Sequence, residues 1–297
     1  MSAVADAAGR SAPAPATRER TGLPRRVARN RRAQLGVALA GPVVLLALLG
    51  PLLAPHAPTV FVGRPFEGPS SSAPLGTDYL GQDVLSRLLW GGRSVLWMSL
   101  AATFLGVAVG VWAGLVAGYT RRSIDAAIMG VSDLVLGLPQ IVLALLFVSM
   151  LGPKLWLIVV LVAAAHAPRV ARLTRSVTLE VTRREFVEAA EVLGVGRWRI
   201  RIDEVLPNLV TPLAVETGIR LTWSIGMIAA ISFLGFGIQP PNADWGLMIN
   251  ENRTGLSVQP WPVVGAVLCI SVFAIGVNLI AEGISRTVAG DDGREAP

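Results

Sequence analysis

The sequence predicts an all-α membrane protein with about six transmembrane helices, and three observations carry that expectation. The chain of 297 residues is 53% hydrophobic and only 15% charged, with a mean hydropathy of +0.58. A soluble domain carries about 25% charged residues, so one soluble core cannot hide this much apolar surface. The apolar residues are also gathered into runs near the roughly 20 residues that cross a bilayer as a helix. The short alternating segments of a transmembrane barrel do not occur.

The elements follow in order. Residues 1–34 are rich in Ala, Pro and Arg, including Arg18, Arg20, Arg25, Arg26, Arg29, Arg31 and Arg32, and are expected to form a disordered cytoplasmic tail. Residues 35–54 form the first helix. This run exceeds the roughly 7–15 apolar residues of a signal peptide. The Arg-Arg pairs beside it read as positive-inside charge rather than as a twin-arginine signal. Residues 55–94 are a Gly-, Pro- and Ser-rich extracytoplasmic segment. Residues 95–290 are expected to hold five more helices.

Within that core, residues 95–117 are the second span, followed by a basic turn at Arg121 and Arg122. Residues 128–151 are the third, with a kink at Pro139. The fourth starts near Leu155. The distance to Pro168 is too short to cross about 30 Å of hydrocarbon at about 1.5 Å per residue. The helix is therefore expected to continue past Pro168, with Arg169, Arg172 and Arg175 on one face, snorkelling to the interface. A charged segment, residues 178–211, follows. Pro212 fits the first turn of a fifth span ending near Phe236. A second polar loop precedes the last span, residues 261–280, and a polar tail is expected from Glu282. Arginine is concentrated on the side of both termini, the Arg121–Arg122 turn and residues 178–211, which makes that side cytoplasmic.

Several function classes fall away. Lys154 is the only lysine, and Leu155 follows it. A phosphate-binding loop needs Gly-Lys-Ser/Thr, so this chain binds no nucleotide in that way. Its two histidines, His56 and His166, are predicted on opposite sides of the membrane, and no nucleophile–base pair or zinc spacing occurs. No catalytic residue, metal site or cofactor is expected in this chain. The lone Cys269 cannot form an internal disulfide and reads as a small buried apolar residue. The net charge of +6 is a topology signal, not a sign of nucleic acid.

The segment Glu185 to Pro207 is charged and helix-forming, yet stranded between apolar runs. Glu185 to Leu193 suits a short helix. Phe186, Val187, Ala189, Ala190 and Leu193 supply its apolar face, and Glu185, Glu188 and Glu191 its charged one. Gly194 and Gly196 can take positive φ and suit its end. Residues 198–205 suit a second short helix, led by Arg197 and closed by Leu206-Pro207. A DNA-reading helix–turn–helix is disfavoured, because both ends are tethered in the membrane. The remaining readings are a solvated loop or a knob that a cytoplasmic partner grips.

Glu188-Ala189-Ala190, Gly194 and Leu206-Pro207 resemble the EAA motif of binding-protein-dependent ABC importer permeases. Glu204 departs from one register of that motif, while Val205 satisfies the register of its peptide-transporter branch. Leu75-Gly-Thr-Asp-Tyr-Leu-Gly-Gln-Asp-Val-Leu-Ser-Arg-Leu-Leu89 is similar to the segment before the second span of the C-type permeases of dipeptide, oligopeptide and nickel importers, with Gln82 in place of the usual arginine. Ser232-Phe-Leu-Gly-Phe-Gly-Ile-Gln-Pro-Pro241 and Asn278-Leu-Ile-Ala-Glu-Gly283 resemble two further family segments, with Glu282 where aspartate is usual. The resemblance covers about residues 35–290.

The resemblance implies the type I (MetI-like) importer permease fold. It also implies a second permease subunit, two ATPase subunits carrying ATP and Mg, an extracytoplasmic substrate-binding protein, and a cell-membrane setting in lipid. Glu185, Phe186, Glu188, Ala189, Ala190, Leu193, Gly194, Arg197, Leu206 and Pro207 would couple to the ATPase. The implied substrate is a dipeptide or oligopeptide; nickel or another small solute is the alternative within the family. An ion-gradient-driven secondary transporter is the alternative from another class, because ionisable groups fall in the spans. Glu216 and Arg220 have the spacing of a helical ion pair, and Asp133 and His166 read as structural. Ser232 is a candidate for the substrate pathway.

Overall fold

The computed structural model describes residues 27–120 and 122–292; most of the expected tail, and Arg121, lie outside the described residues. The helices are α1 (Arg31–Leu53), α2 (Val84–Gly118), α3 (Arg122–Gly137), α4 (Gln140–Leu151), α5 (Leu155–Val181), α6 (Glu185–Val192), α7 (Arg197–Ile200), α8 (Leu206–Phe233), α9 (Trp245–Asn252) and α10 (Trp261–Asp292). Four of them, α1, α2, α5 and α10, are long and apolar enough to cross a membrane. The pair α3 and α4, bent by 85° at its break, makes a fifth. Helix α8 has 28 residues, a sufficient length. Its Glu216, Arg220 and several hydroxyls dilute its hydropathy. The expected count of about six is thus met by length, and by composition it is four or five.

The expected bend at Pro139 and the continuation of α5 through Pro168 are both present. Other boundaries moved. Helix α2 starts at Val84, not residue 95, because Asp83 caps it: its carboxylate accepts the N–H groups of Leu85 (3.3 Å) and Ser86 (3.0 Å). Helix α8 starts at Leu206, so Pro212 lies inside it and Pro207 occupies its first turn. Helix α10 runs past Glu282 to Asp292. Glu282 does not open a polar tail; it forms an ion pair with Arg32 at the start of α1.

Close backbone approach organises the bundle. Gly106, Gly110, Gly114 and Gly118 recur every fourth residue and present one stripe of α2 to α5. A Cβ on Gly114 would sit 2.5 Å from the Ala171 carbonyl and 2.5 Å from Thr174 Cβ; one on Gly110 would sit 2.5 Å from Val170 Cβ. Lipid tails are as apolar as leucine, so helices in a bilayer associate through such tight packing rather than through the hydrophobic effect. Helices α1 and α10 repeat the device: a Cβ on Gly36 would sit 2.6 Å from the Gly276 carbonyl. Asn30 Nδ2 then donates to the Gly283 carbonyl (3.2 Å) and ties the ends of the two helices.

The opposite end of the bundle carries a cap built from residues 54–83, α9 and the turn before α10. Its centre is a buried charge cluster. Arg87 donates to Asp78 and, at 2.8 Å, to Glu251; all three side chains are at most 7% exposed. Asp78 also accepts the N–H groups of Leu80 (2.9 Å) and Gln82 (2.8 Å). Tyr79 donates its hydroxyl to Glu251 at 3.0 Å. Burial, and then the negative charge of Glu251, push the Tyr79 phenol up to about 12. Trp245 closes the cap from below, donating its indole N–H to the Leu88 carbonyl (2.9 Å).

Three outcomes follow from this packing. Gly114→Leu is expected to cost about 1–3 kcal/mol through overpacking, read as a lower melting midpoint in detergent, whereas Gly130→Ala, with nothing within 4 Å of its Cβ position, is expected to be neutral or slightly stabilising. Arg87→Ala leaves two buried carboxylates without their cation and is expected to cost about 3–5 kcal/mol. The third outcome concerns pH. The folded Tyr79 holds its proton more tightly than the unfolded residue, with its value raised from 10.0 to about 12. Its contribution is therefore complete below pH 10 and is lost as the pH rises through about 12. Tyr79→Phe is expected to flatten that part of the stability profile.

Candidate functional site

Helix α5 ends at Val181, and the chain turns through Thr182 and the two arginines that follow. Short helix α6 comes next. Leu193 donates its N–H to the Ala189 carbonyl at 3.0 Å. Gly194 then turns the chain with φ of +75°. A side chain at that φ strains against its own carbonyl, which is why glycine ends this helix. Gly196, expected to share this role, is not in the positive-φ region. Helix α7 continues without interruption into a single π-helical turn, Arg201–Val205, and then into α8. Leu206-Pro207 therefore opens the long helix and does not close the short one. The expected second helix exists, but it is the first part of a rod joined to α8.

A small core anchors this loop. Val181, Val187, Ile200, Val205 and Leu209 are all at most 1% exposed, and Leu115, Tyr119, Val177, Val195, Leu206 and Leu213 pack against them. The loop is thus seated on the ends of α2, α5 and α8 together. Arg201 strengthens the seat. Its guanidinium lies 5.1 Å from the centre of the Tyr119 ring, a cation–π distance. It also donates to the Tyr119 carbonyl and to Thr120 Oγ1, both at 3.4 Å.

The outward surface is different. Val192 and Leu193, at 84% and 82% exposed, protrude at the end of α6, and Ala189 and Glu185 are exposed beside them. The apolar face expected on α6 is therefore split. Val187 points into the anchor, while Ala189 and Leu193 point away, because a two-turn helix pinned at one position must present its remaining apolar residues elsewhere. Leu206 is half-buried and Pro207 exposed. The side chains of Phe186, Glu188, Ala190 and Arg197, and that of Glu204, lie outside the described residues. Sequence reasoning overlooked Val192. Its signal was a second large apolar residue beside Leu193, with too short a helix to bury both.

The remaining candidates sit inside the bundle. Arg220 Nε lies 2.9 Å from Glu216 Oε1 on α8. His166 Nε2 is 2.9 Å from Ser224 Oγ, which is 2.9 Å from Thr103 Oγ1, joining α5, α8 and α2 through buried hydroxyls. Asp133 pairs with Arg172, and Asp125 with Arg175, so two of the three arginines expected to snorkel are held by carboxylates of α3. Ser232 is 2% exposed, so it faces the interior rather than open space. Burial raises the Asp244 carboxyl against the lowering effect of Ser94 and of the N–H groups it caps. Cys269 is half-buried against the core of α1 and α10. Among the described residues, no group of three or more His, Cys, Asp or Glu could hold a metal ion.

The loop carrying α6 joins the long helices α5 and α8. Comparison with known proteins gives the family. Residues 106–290 match the family described as "Binding-protein-dependent transport system inner membrane component". The dipeptide transport system permease protein DppC of Alkalihalophilus pseudofirmus is 33% identical over 86% of this chain and 84% of its own. The glutathione transport system permease protein GsiD of Pectobacterium atrosepticum is 36% identical over 73% of this chain and 72% of its own. In fold, the chain matches a chain of the inward-facing MetNI methionine ABC transporter with a TM-score of 0.52, at 18% identity, over 67% of this chain and 96% of that one. This chain belongs to the binding-protein-dependent inner membrane components, the permease subunits of ABC importers.

Ile200→Ala should empty the centre of the anchor. The expected cost is about 2–5 kcal/mol, seen as faster amide exchange across residues 185–205 while exchange in α2 and α5 is unchanged.

Proposed function

We propose that this chain is the permease subunit of an ATP-driven peptide importer and that the loop carrying α6 is its docking knob for a cytoplasmic ATPase. The observation that carries the reading is the contrast within one short loop, whose anchor is buried while Val192 and Leu193 stand exposed. Two bare apolar side chains beside alanine and glutamate suit a groove on a partner, where buried apolar anchors dominate affinity. The side with the loop, the start of α1 and the end of α10 is taken as cytoplasmic, which the distribution of arginine supports.

In this reading ATP and Mg belong to two ATPase subunits. A second permease completes the pathway, and an extracytoplasmic binding protein delivers the substrate. The force reaches the bundle through continuity of backbone. Helix α5 enters the loop and α8 leaves it, so a push on α6 tilts two helices that line the same interior, as in rigid-body alternating access. The dipeptide and glutathione relatives support a short peptide as the substrate over nickel or another solute. Membership of an ATP-driven family disfavours ion-gradient transport.

Leu193→Glu tests the knob, since a residue this exposed can change without disturbing the fold. In proteoliposomes with the ATPases and loaded binding protein, ATPase retention is expected to fall roughly 30-fold, the size of a ~2 kcal/mol hot-spot loss, and uptake to fall with it. Gly194→Pro and Glu188→Arg are expected to uncouple hydrolysis from uptake while the chain still inserts. Parental retention and uptake in all three variants would falsify the docking role.

A further inference from the structure

One outward stripe of α2 changes chemistry along its length. Trp90, Arg93, Trp97, Leu100 and Phe104 recur at intervals of three and four residues and so share one face of the helix. Arg93 is exposed, as are Trp97, Leu100 and Phe104, the last at 77%. The stripe therefore runs from a cation between two indoles to bare hydrocarbon. Its depth follows from helix geometry. Arg93 lies about 37 Å along the axis from Gly118, at about 1.5 Å per residue. The hydrocarbon of a bilayer is about 30 Å thick, and about 40–45 Å with its headgroup layers. With Gly118 at one boundary, Arg93 sits in the opposite headgroup layer and Trp97 at its edge, while Leu100 and Phe104 sit at the depth of acyl chains.

A pocket of about 600 Å³ opens beside the upper part of the stripe, lined by Trp90, Arg93, Trp97, Leu155, Gln239 and Asn242 among others, with no carboxylate in the lining. Asp244, close by in the chain, is enclosed: it accepts the Ser94 hydroxyl at 2.7 Å and the Leu247 N–H at 3.0 Å. Lys154 is exposed and stands between Pro153 and Leu155, both in the lining. Among the described residues, neither Arg93 nor Lys154 forms an ion pair. The indole N–H of Trp90 is buried without an acceptor, and a buried donor calls for one. Gln239 is spent on the Gly235 and Gly237 carbonyls and only shapes the wall, whereas the Asn242 side chain is exposed. Two unpaired cations, an idle indole donor and no acid suit an anion with several oxygens. The hydrocarbon below identifies its carrier. A soluble anion would leave Leu100 and Phe104 uncovered, whereas a phospholipid lays its tails along them.

We propose that this pocket holds the phosphate of an anionic phospholipid from the leaflet opposite the α6 loop, with Arg93 and Lys154 as its cations and its acyl chains on Leu100 and Phe104. Arginine suits the role, since its planar fork binds two phosphate oxygens at once, and indoles concentrate at the headgroup level. The lipid would staple α2 to the turn between α4 and α5 and to the segment after α8.

The test uses the assembled importer in detergent. Dioctanoyl phosphatidylglycerol is expected to raise its melting midpoint saturably, and dioctanoyl phosphatidylcholine, glycerol 3-phosphate and inorganic phosphate are expected to have no such effect. Arg93→Gln is expected to weaken the apparent affinity for phosphatidylglycerol roughly fivefold, the attraction of one basic residue for an anionic membrane lipid. Lys154→Gln, on a different element, is expected to act likewise, and Arg93→Lys to keep most of the affinity. Arg64→Gln, an exposed arginine outside the lining, is expected to change nothing. Native mass spectrometry gives a second reading, in which a phosphatidylglycerol retained by the parent is lost from Arg93→Gln. Equal stabilisation by phosphatidylcholine, which marks a general interfacial anchor, or by inorganic phosphate, which marks a free-anion site, overturns the proposal. So does an unchanged phosphatidylglycerol affinity in both Arg93→Gln and Lys154→Gln; if those variants instead lose ATPase stimulation by loaded binding protein, the patch belongs to an acidic protein surface.

Discussion

The backbone of α2 lies against the backbone of α5, and the rest of the bundle is arranged around that contact. In a bilayer there is no water to drive helices together, so association depends on surfaces that fit closely enough for dispersion and weak polar contacts to prevail over packing with lipid. Four glycines at helical spacing remove the side chains that would hold the two rods apart. The same contact fixes α5 in direction. Since α5 leads into the loop that carries α6, the pair also fixes where that loop leaves the bundle.

The two ends of the bundle are fastened by different physics. At the cap, Arg87, Asp78 and Glu251 form a buried ionic cluster in which each charge needs the others, because an unpaired charge removed from water is costly. Such a cluster is stiff and selects one geometry. At the loop, the anchor consists of Val187, Ile200, Val205 and their apolar neighbours, which tolerate small shifts without losing a discrete partner. The two ends thus differ in stiffness: a discrete ionic geometry at the cap and an adaptable apolar seat under the loop.

Helices, their order and the short helical loop between α5 and α8 were legible because they depend on local rules. The length of an apolar run reports the thickness of the bilayer, Pro139 reports a break, and Gly194 before a polar turn reports a helix end. The boundaries at Val84 and Leu206 were misjudged, because hydropathy marks neither of them. A capping aspartate decides where α2 begins, and α8 is entered through the π-helical turn from α7. The split face of α6 was also hidden. Periodicity identifies which residues share a side, but not which of them a neighbouring helix will reach.

The sequence by itself determined that this chain spans a membrane, in what order its helices run, and that an ATP-binding loop is absent, since each of these is written in the identity and spacing of neighbouring residues. Only the tertiary structure decided that Arg87 bridges two distant carboxylates, that Ser232 is enclosed, that the glycines of α2 serve packing while Gly226 faces open space, and that Val192 and Leu193 remain bare. These are facts about residues far apart in the chain. They depend on how helices meet across three dimensions.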